Sequence, residues 1–97
     1  MEEVKLEDIR VGDYLKGVRK ELVRDDDGWE ITYFKVEKID GESLISNFWI
    51  DSKDEILEVY HQKNGSEKYS DLYVYRLTEQ EFYNICGKEI ITQGLKL

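Results

Sequence analysis

Hydrophobic and polar residues along this chain group into short extended segments, separated by residue pairs that favour tight turns. Asp27-Gly28, Asp40-Gly41 and Asn64-Gly65 are each pairs preferred at the centre of a two-residue hairpin, where both positions take positive φ. Residues 14–23 and 29–39 flank the first pair. The second of these segments is rich in β-branched and aromatic side chains, namely Trp29, Ile31, Thr32, Tyr33, Phe34, Val36 and Ile39, as a strand surface prefers. Two long antiparallel strands are predicted. Trp29, Ile31 and Tyr33 hold one parity while Phe34 and Val36 hold the other, which predicts a β-bulge or strong coil near Tyr33.

Beyond Asp40-Gly41, residues 43–50 predict a third strand, Asp51-Ser52-Lys53-Asp54 a connecting turn and residues 55–62 a fourth strand. A polar stretch follows Asn64-Gly65, and residues 71–77 form a fifth strand. The segment Leu77-Thr78-Glu79-Gln80-Glu81-Phe82 then reads as a helix start: Thr78 at the N-cap, Glu81 as the reciprocal acid, and Leu77 stapled to Phe82. Gly87 stands where a helix-terminating glycine belongs, so the helix is expected over residues 79–86. Residues 90–92 would form a last short strand. Consecutive short strands with tight turns and one short C-terminal helix predict a mainly β fold, a small antiparallel barrel of five to six strands. The segment Leu6-Glu7-Asp8-Ile9-Arg10-Val11-Gly12-Asp13-Tyr14 resembles the Gly-Asp turn that opens the first strand of many SH3-like barrels. That resemblance implies an SH3-like architecture and carries no function with it.

Composition adds that 97 residues form one domain, and that two Trp, seven Tyr and three Phe are too much core material for a disordered acidic tail. No run approaches the roughly 18 apolar residues of a membrane span. The acidic start Met1-Glu2-Glu3-Val4-Lys5 is unlike an export leader. The expectation is a soluble cytoplasmic protein without a membrane partner.

Charge changes the picture most. Twenty-two acids against fourteen bases give a net charge of -8. Residues 14–24 carry four bases and one acid, whereas residues 25–42 carry seven acids and two bases and residues 43–58 four acids and one base. Such a surface repels a phosphate backbone and attracts cationic partners over about 8 to 10 Å.

Candidate chemistry is sparse. Asp25-Asp26-Asp27-Gly28 with Glu30 concentrates carboxylates but lacks the twelve-residue ligand spacing of a calcium loop, so a solvated hairpin tip is expected and no metal. His61 and Cys86 are the sole histidine and cysteine; Cys86 follows Phe82 and Ile85 and reads as a buried small hydrophobe. The isolated glycines form no phosphate-cradling loop, so neither a catalytic residue nor a cofactor is expected. Tyr60, Tyr69, Tyr73 and Tyr75 with Lys63, Lys68 and Arg76 make an aromatic and basic region, but residues 60–76 hold only three bases against two acids. That favours cross-strand packing over nucleic acid as a direct ligand. Lys16, Lys20 and Arg24 form, with Arg19, a basic stripe expected to pair with the acidic second strand.

Phe48 and Trp49 are adjacent on a strand and point to opposite faces, so either one of them leaves the core or the two faces carry two cores, the second a small one beneath the helix. An exposed aromatic ringed by acids is a protein-binding hot spot. The expected contact set is therefore Asp25, Asp26, Asp27, Glu42, Trp49, Asp51, Asp54 and Glu55. The expected function is that of a small acidic, non-enzymatic binding protein that engages a basic surface on a protein partner. Its most specific form is a phage-type inhibitor that mimics nucleic acid against a nuclease or defence system. A structural or assembly subunit, as of a phage particle, and a barrel that binds single-stranded nucleic acid are the alternatives.

Overall fold

The structure, a computed structural model, describes residues 2–21, 30–47, 49–53, 56–60 and 65–94. Among these residues eight short strands precede one α-helix: β1 (Tyr14–Arg19), β2 (Ile31–Lys35), β3 (Lys38–Asp40), β4 (Ser43–Ser46), β5 (Trp49–Lys53), β6 (Ile56–Tyr60), β7 (Gly65–Lys68), β8 (Leu72–Leu77) and α1 (Glu79–Gly94). They form two antiparallel sheets, one ordered β6-β5-β2-β1-β8 and the other β3-β4-β7. The protein is thus mainly β with a C-terminal helix.

β2 sits at the centre of the larger sheet, and its pairing explains why its pattern changes phase. Thr32, Tyr33 and Phe34 are all buried, because both faces of the sheet are covered. Directly paired residues share a face, so the pairs Leu15↔Phe34 and Phe34↔Trp49 place these three side chains together. With Leu44, Val36, Leu72 and Val74, and with Val4 and Ile9 of the N-terminal segment, they fill the core between the sheets. Tyr33 points the other way and meets Ile50, Leu77, Phe82 and Cys86 in a second core beneath α1. The expected bulge at Tyr33 is absent: residues 31–35 pair without interruption against residues 14–18. The bend comes after Lys35, where the chain leaves the larger sheet and enters the smaller one as β3.

Local chemistry sets the turns. Gly12 takes φ 97 in a turn closed by Asp13 N–H on the Arg10 carbonyl at 3.0 Å and by Arg10 N–H on Asp13 Oδ2 at 2.8 Å. In the β3–β4 hairpin the ladder closes at Asp40↔Ser43, so Gly41, at φ 64, and Glu42 are the central pair, one residue later than the Asp40-Gly41 expectation.

Three other expectations need correction. The single strand expected at residues 43–50 is two strands in different sheets, because the chain crosses over after Ser46. Asp51, Ser52 and Lys53 are not a turn but part of β5, paired with β2 and β6. The polar segment after residue 64 is a strand, β7, paired along its length with β4.

The helix start behaves as the sequence predicts. Thr78 N–H donates to Glu81 Oε1 at 2.8 Å, Glu81 N–H donates to Thr78 Oγ1 at 3.0 Å, and Leu77 and Phe82 share the second core. Its end does not. α1 continues through Gly87 to Gly94, so residues 90–92 are helical rather than a strand.

Candidate functional site

The sequence-predicted contact residues separate. Asp25, Asp26, Asp27, Asp54, Glu55 and Phe48 lie outside the described residues. Trp49 does not reach the surface. It is 5% exposed, its ring centroid lies 4.3 Å from that of Phe34, and its indole N–H donates to the Ser46 carbonyl at 2.9 Å. Its parity on β5 turns it into the space between the sheets, so it is a core residue with no face to offer a partner.

Asp51 shares that inward parity, two residues on. It is 9% exposed and directly opposite Thr32, which is itself opposite Gly17. A side chain at Gly17 would place its Cβ 2.9 Å from Leu72 Cδ1 and 3.2 Å from Thr32 Cγ2. Only glycine keeps β1 this close to its neighbours.

Arg19 is on the same face of β1 and turns its guanidinium to two carboxylates, Glu67 Oε1 at 2.6 Å and Asp51 Oδ1 at 3.8 Å. The first contact is a charge-assisted hydrogen bond and the second an ion pair without one. Asp51 Oδ1 and Thr32 Oγ1 are buried with no hydrogen-bond partner. Burial pushes the Glu67 carboxyl above the usual carboxylate range; Arg19 counters this, while Asp51 and Asp71 add to it.

Arg19 and Glu67 also line a cleft of about 370 Å³, together with Lys20, Glu21, Ser70 and Asp71. It opens where the end of β1 meets the turn after β7. Glu42 adjoins it, since Ser70 N–H donates to Glu42 Oε1 at 3.1 Å. Bonding from the Ser70 hydroxyl and backbone, aided by Lys68, holds the Glu42 carboxyl below its ordinary value. The lining holds Glu21, Glu67 and Asp71 against Arg19 and Lys20, three acids against two bases for a local charge of −1.

Glu67 and Asp71 were not legible as site residues. They reach the cleft because the register of β7 on β4 and of β8 on β1 brings residues 67–71 beside the end of β1, which no local motif announces. A second, more open groove of about 810 Å³ lies between the N-terminal segment and the start of α1, with Glu2, Glu3, Asp8 and Glu81 among its lining residues. There Arg76 is already engaged by the Asp8 carbonyl and by Asp13 Oδ2 at 3.1 Å.

The remaining candidates find structural partners. Tyr69 donates its hydroxyl to the Val4 carbonyl at 2.8 Å. Lys16 stands opposite Tyr33 and Tyr75 rather than acids, so the expected charge pairs between β1 and β2 do not form there. Cys86 is fully buried, and burial pushes its thiol up to about 12, which keeps it protonated at neutral pH. His61, Lys63 and Arg24 lie outside the described residues. No group of three or more metal-ligating side chains occurs among the described residues. Among the described residues no helix is long and apolar enough to cross a membrane. Comparison with protein-family models, with curated proteins and with solved structures gives no match.

Proposed function

We propose that this chain is a small acidic, non-enzymatic binding protein that engages a basic surface on a protein partner and seats a lysine or arginine side chain in the cleft beside Arg19. The observation that supports this reading is the convergence of Glu21, Glu67 and Asp71 on one concave site in which Glu67 already holds the Arg19 guanidinium at 2.6 Å. A second cation entering there meets acids that Arg19 does not fully neutralise. Low-dielectric walls strengthen that attraction relative to open water.

In this reading the scaffold is an SH3-like arrangement, with the Gly12-Asp13 turn at the entry to β1 and the bend after Lys35 as its supporting features. The working compartment is the cytoplasm. The most specific form of the proposal is an inhibitor that presents carboxylates, with Asp25, Asp26 and Asp27 among them, where a nuclease or defence protein expects phosphates. An assembly subunit has no comparable supporting observation.

The test is titration with a fluorescent lysine- and arginine-rich peptide. Affinity should fall about tenfold or more between low and physiological salt, and Glu21→Gln with Asp71→Asn should weaken it at constant salt. Salt-insensitive binding, or binding unchanged by that double substitution, would remove the cleft from consideration. Light scattering that showed a stable oligomer in the absence of any partner would favour the assembly role instead.

A further inference from the structure

The larger sheet has a second face, and α1 covers only part of it. The helix rests on Leu77, Tyr33 and Ile50 through Phe82 and Cys86, and Tyr14 packs against Phe82 with ring centroids 4.7 Å apart. The opposite corner of that face, where β1 and β8 run on toward Arg19 and Leu72, lies beyond these contacts. Register fixes its occupants: Lys16 pairs with Tyr75, and Val18 with Tyr73. By alternation all four project to the helix side of the sheet, away from the cleft.

Tyr73 is 45% exposed. Lys20 lies over its ring, with Nζ 5.1 Å from the centroid. Two tyrosines two positions apart on one strand, flanked by Lys16 of β1 and by Lys20 just beyond its end, therefore make a small aromatic and basic platform. The sequence had grouped these tyrosines with Lys63, Lys68 and Arg76. The fold pairs them with the basic first strand instead, and commits Arg76 elsewhere.

We propose that this corner binds single-stranded nucleic acid, with bases stacked on Tyr73 and Tyr75 and phosphates paired with Lys16 and Lys20. Stacking on aromatic side chains beside cations is the general means of holding single strands without sequence preference. Tyr73 is exposed, and a base stacking on it takes the place of the Lys20 ammonium over the ring, leaving that lysine to pair with a phosphate. An acidic peptide fits less well, because it has no flat group to place on the two rings. Nor can it extend the sheet at Val74, whose carbonyl already accepts the Val4 N–H at 2.8 Å.

The net charge of -8 does not decide the matter at this distance scale. Screening at physiological salt acts within about 8 Å, and the molecule measures 38 × 31 × 26 Å. Glu3, bridged to Tyr75, borders the platform on one side, and Glu21 and Asp71, which line the cleft with Lys20, border it on the other. Lys16 is the platform cation outside that lining.

The experiment is fluorescence anisotropy of a fluorescein-labelled oligothymidylate with the full chain at low and moderate salt. With two phosphates paired, log K should fall against log[salt] with a slope of about −1.4. Tyr73→Ala should weaken binding about fivefold or more, the loss of one stack, while Tyr73→Phe should retain it. Tyr73 is on the surface, so neither change threatens the fold. Lys16→Gln should reduce both affinity and salt slope.

Lys20 borders both sites, whereas Lys16, Tyr73 and Tyr75 do not line the cleft. Tyr73→Ala therefore tests the platform alone, and Glu21→Gln with Asp71→Asn, which removes acids from the cleft, should leave oligonucleotide binding no weaker. Absence of binding at low salt, indifference to Tyr73→Ala, or displacement of the oligonucleotide by polyaspartate at equal charge concentration would each overturn the proposal. The last outcome would identify the corner as a site for acidic protein segments.

Discussion

Replacing Arg19 by leucine should unmask two carboxylates that the fold holds together. The Arg19 and Glu67 side chains are each 24% exposed and that of Asp51 12%, so the three charges are only partly hydrated. Removing one partner from a buried ion pair costs about 3 to 5 kcal/mol. The residual exposure of Arg19 and Glu67 places this site near the lower end, at about 3 kcal/mol. For a domain of this size that is a fall in Tm of about 12 to 24 °C.

The loss should depend on pH in a defined direction. Burial already raises the Glu67 pKa, and without Arg19 it rises further. A carboxyl whose pKa is higher in the folded state binds protons preferentially there. It therefore costs least below its unfolded value of about 4.3 and most above its folded one. The gap between variant and wild type should narrow as pH falls from 7 toward 5. Urea unfolding followed by tryptophan fluorescence, with Trp49 buried in the core, measures the gap at each pH. Arg19→Leu combined with Glu67→Gln and Asp51→Asn should recover most of the loss, because no uncompensated charge then remains. A deficit below about 0.5 kcal/mol at pH 7, or one that does not change with pH, would refute the claim that these three groups are electrostatically coupled.

Two further outcomes are expected. Thr78→Ala removes the acceptor for Glu81 N–H and should cost about 1 kcal/mol, read as an earlier thermal transition by circular dichroism; an unchanged transition would show that the capping box is not needed to hold α1. Cys86, buried and with its thiol pushed up to about 12, should react with a thiol reagent only on unfolding, so rapid modification of the native protein would contradict its place in the core beneath α1.

What the sequence revealed and what it concealed divide along physical lines. Features set by a few adjacent residues were legible. The Thr78 and Glu81 capping box, the staple from Leu77 to Phe82, the turn at Gly12-Asp13 and the β3–β4 hairpin all rest on short-range hydrogen bonds and backbone preference. Features set by tertiary partners were not. Thr32, Tyr33 and Phe34 broke the alternation because the sheet is covered on both faces, which a single strand cannot report. Gly87 looked like a stop, yet a glycine in mid-helix costs only about 1 kcal/mol relative to alanine, less than the packing of Phe82 and Cys86 against the sheet provides. Which of Phe48 and Trp49 would leave the core was open in the sequence, because their strand was drawn one segment too long. Once the chain changes sheets after Ser46, the inward parity of Trp49 follows. The cleft was hardest to see, since Arg19 and Glu67 are far apart in sequence and meet only through register.

The course of the chain between its two sheets has a consequence for how the protein comes apart. It passes from one sheet to the other four times, between β2 and β3, β4 and β5, β6 and β7, and β7 and β8. Neither sheet is therefore a contiguous stretch of polypeptide that could melt while the other persists. Native-state amide exchange should accordingly find the central strands of both sheets opening together, as one cooperative unit at close to the global unfolding free energy. Fraying should be confined to the outer strand edges and the far end of the helix.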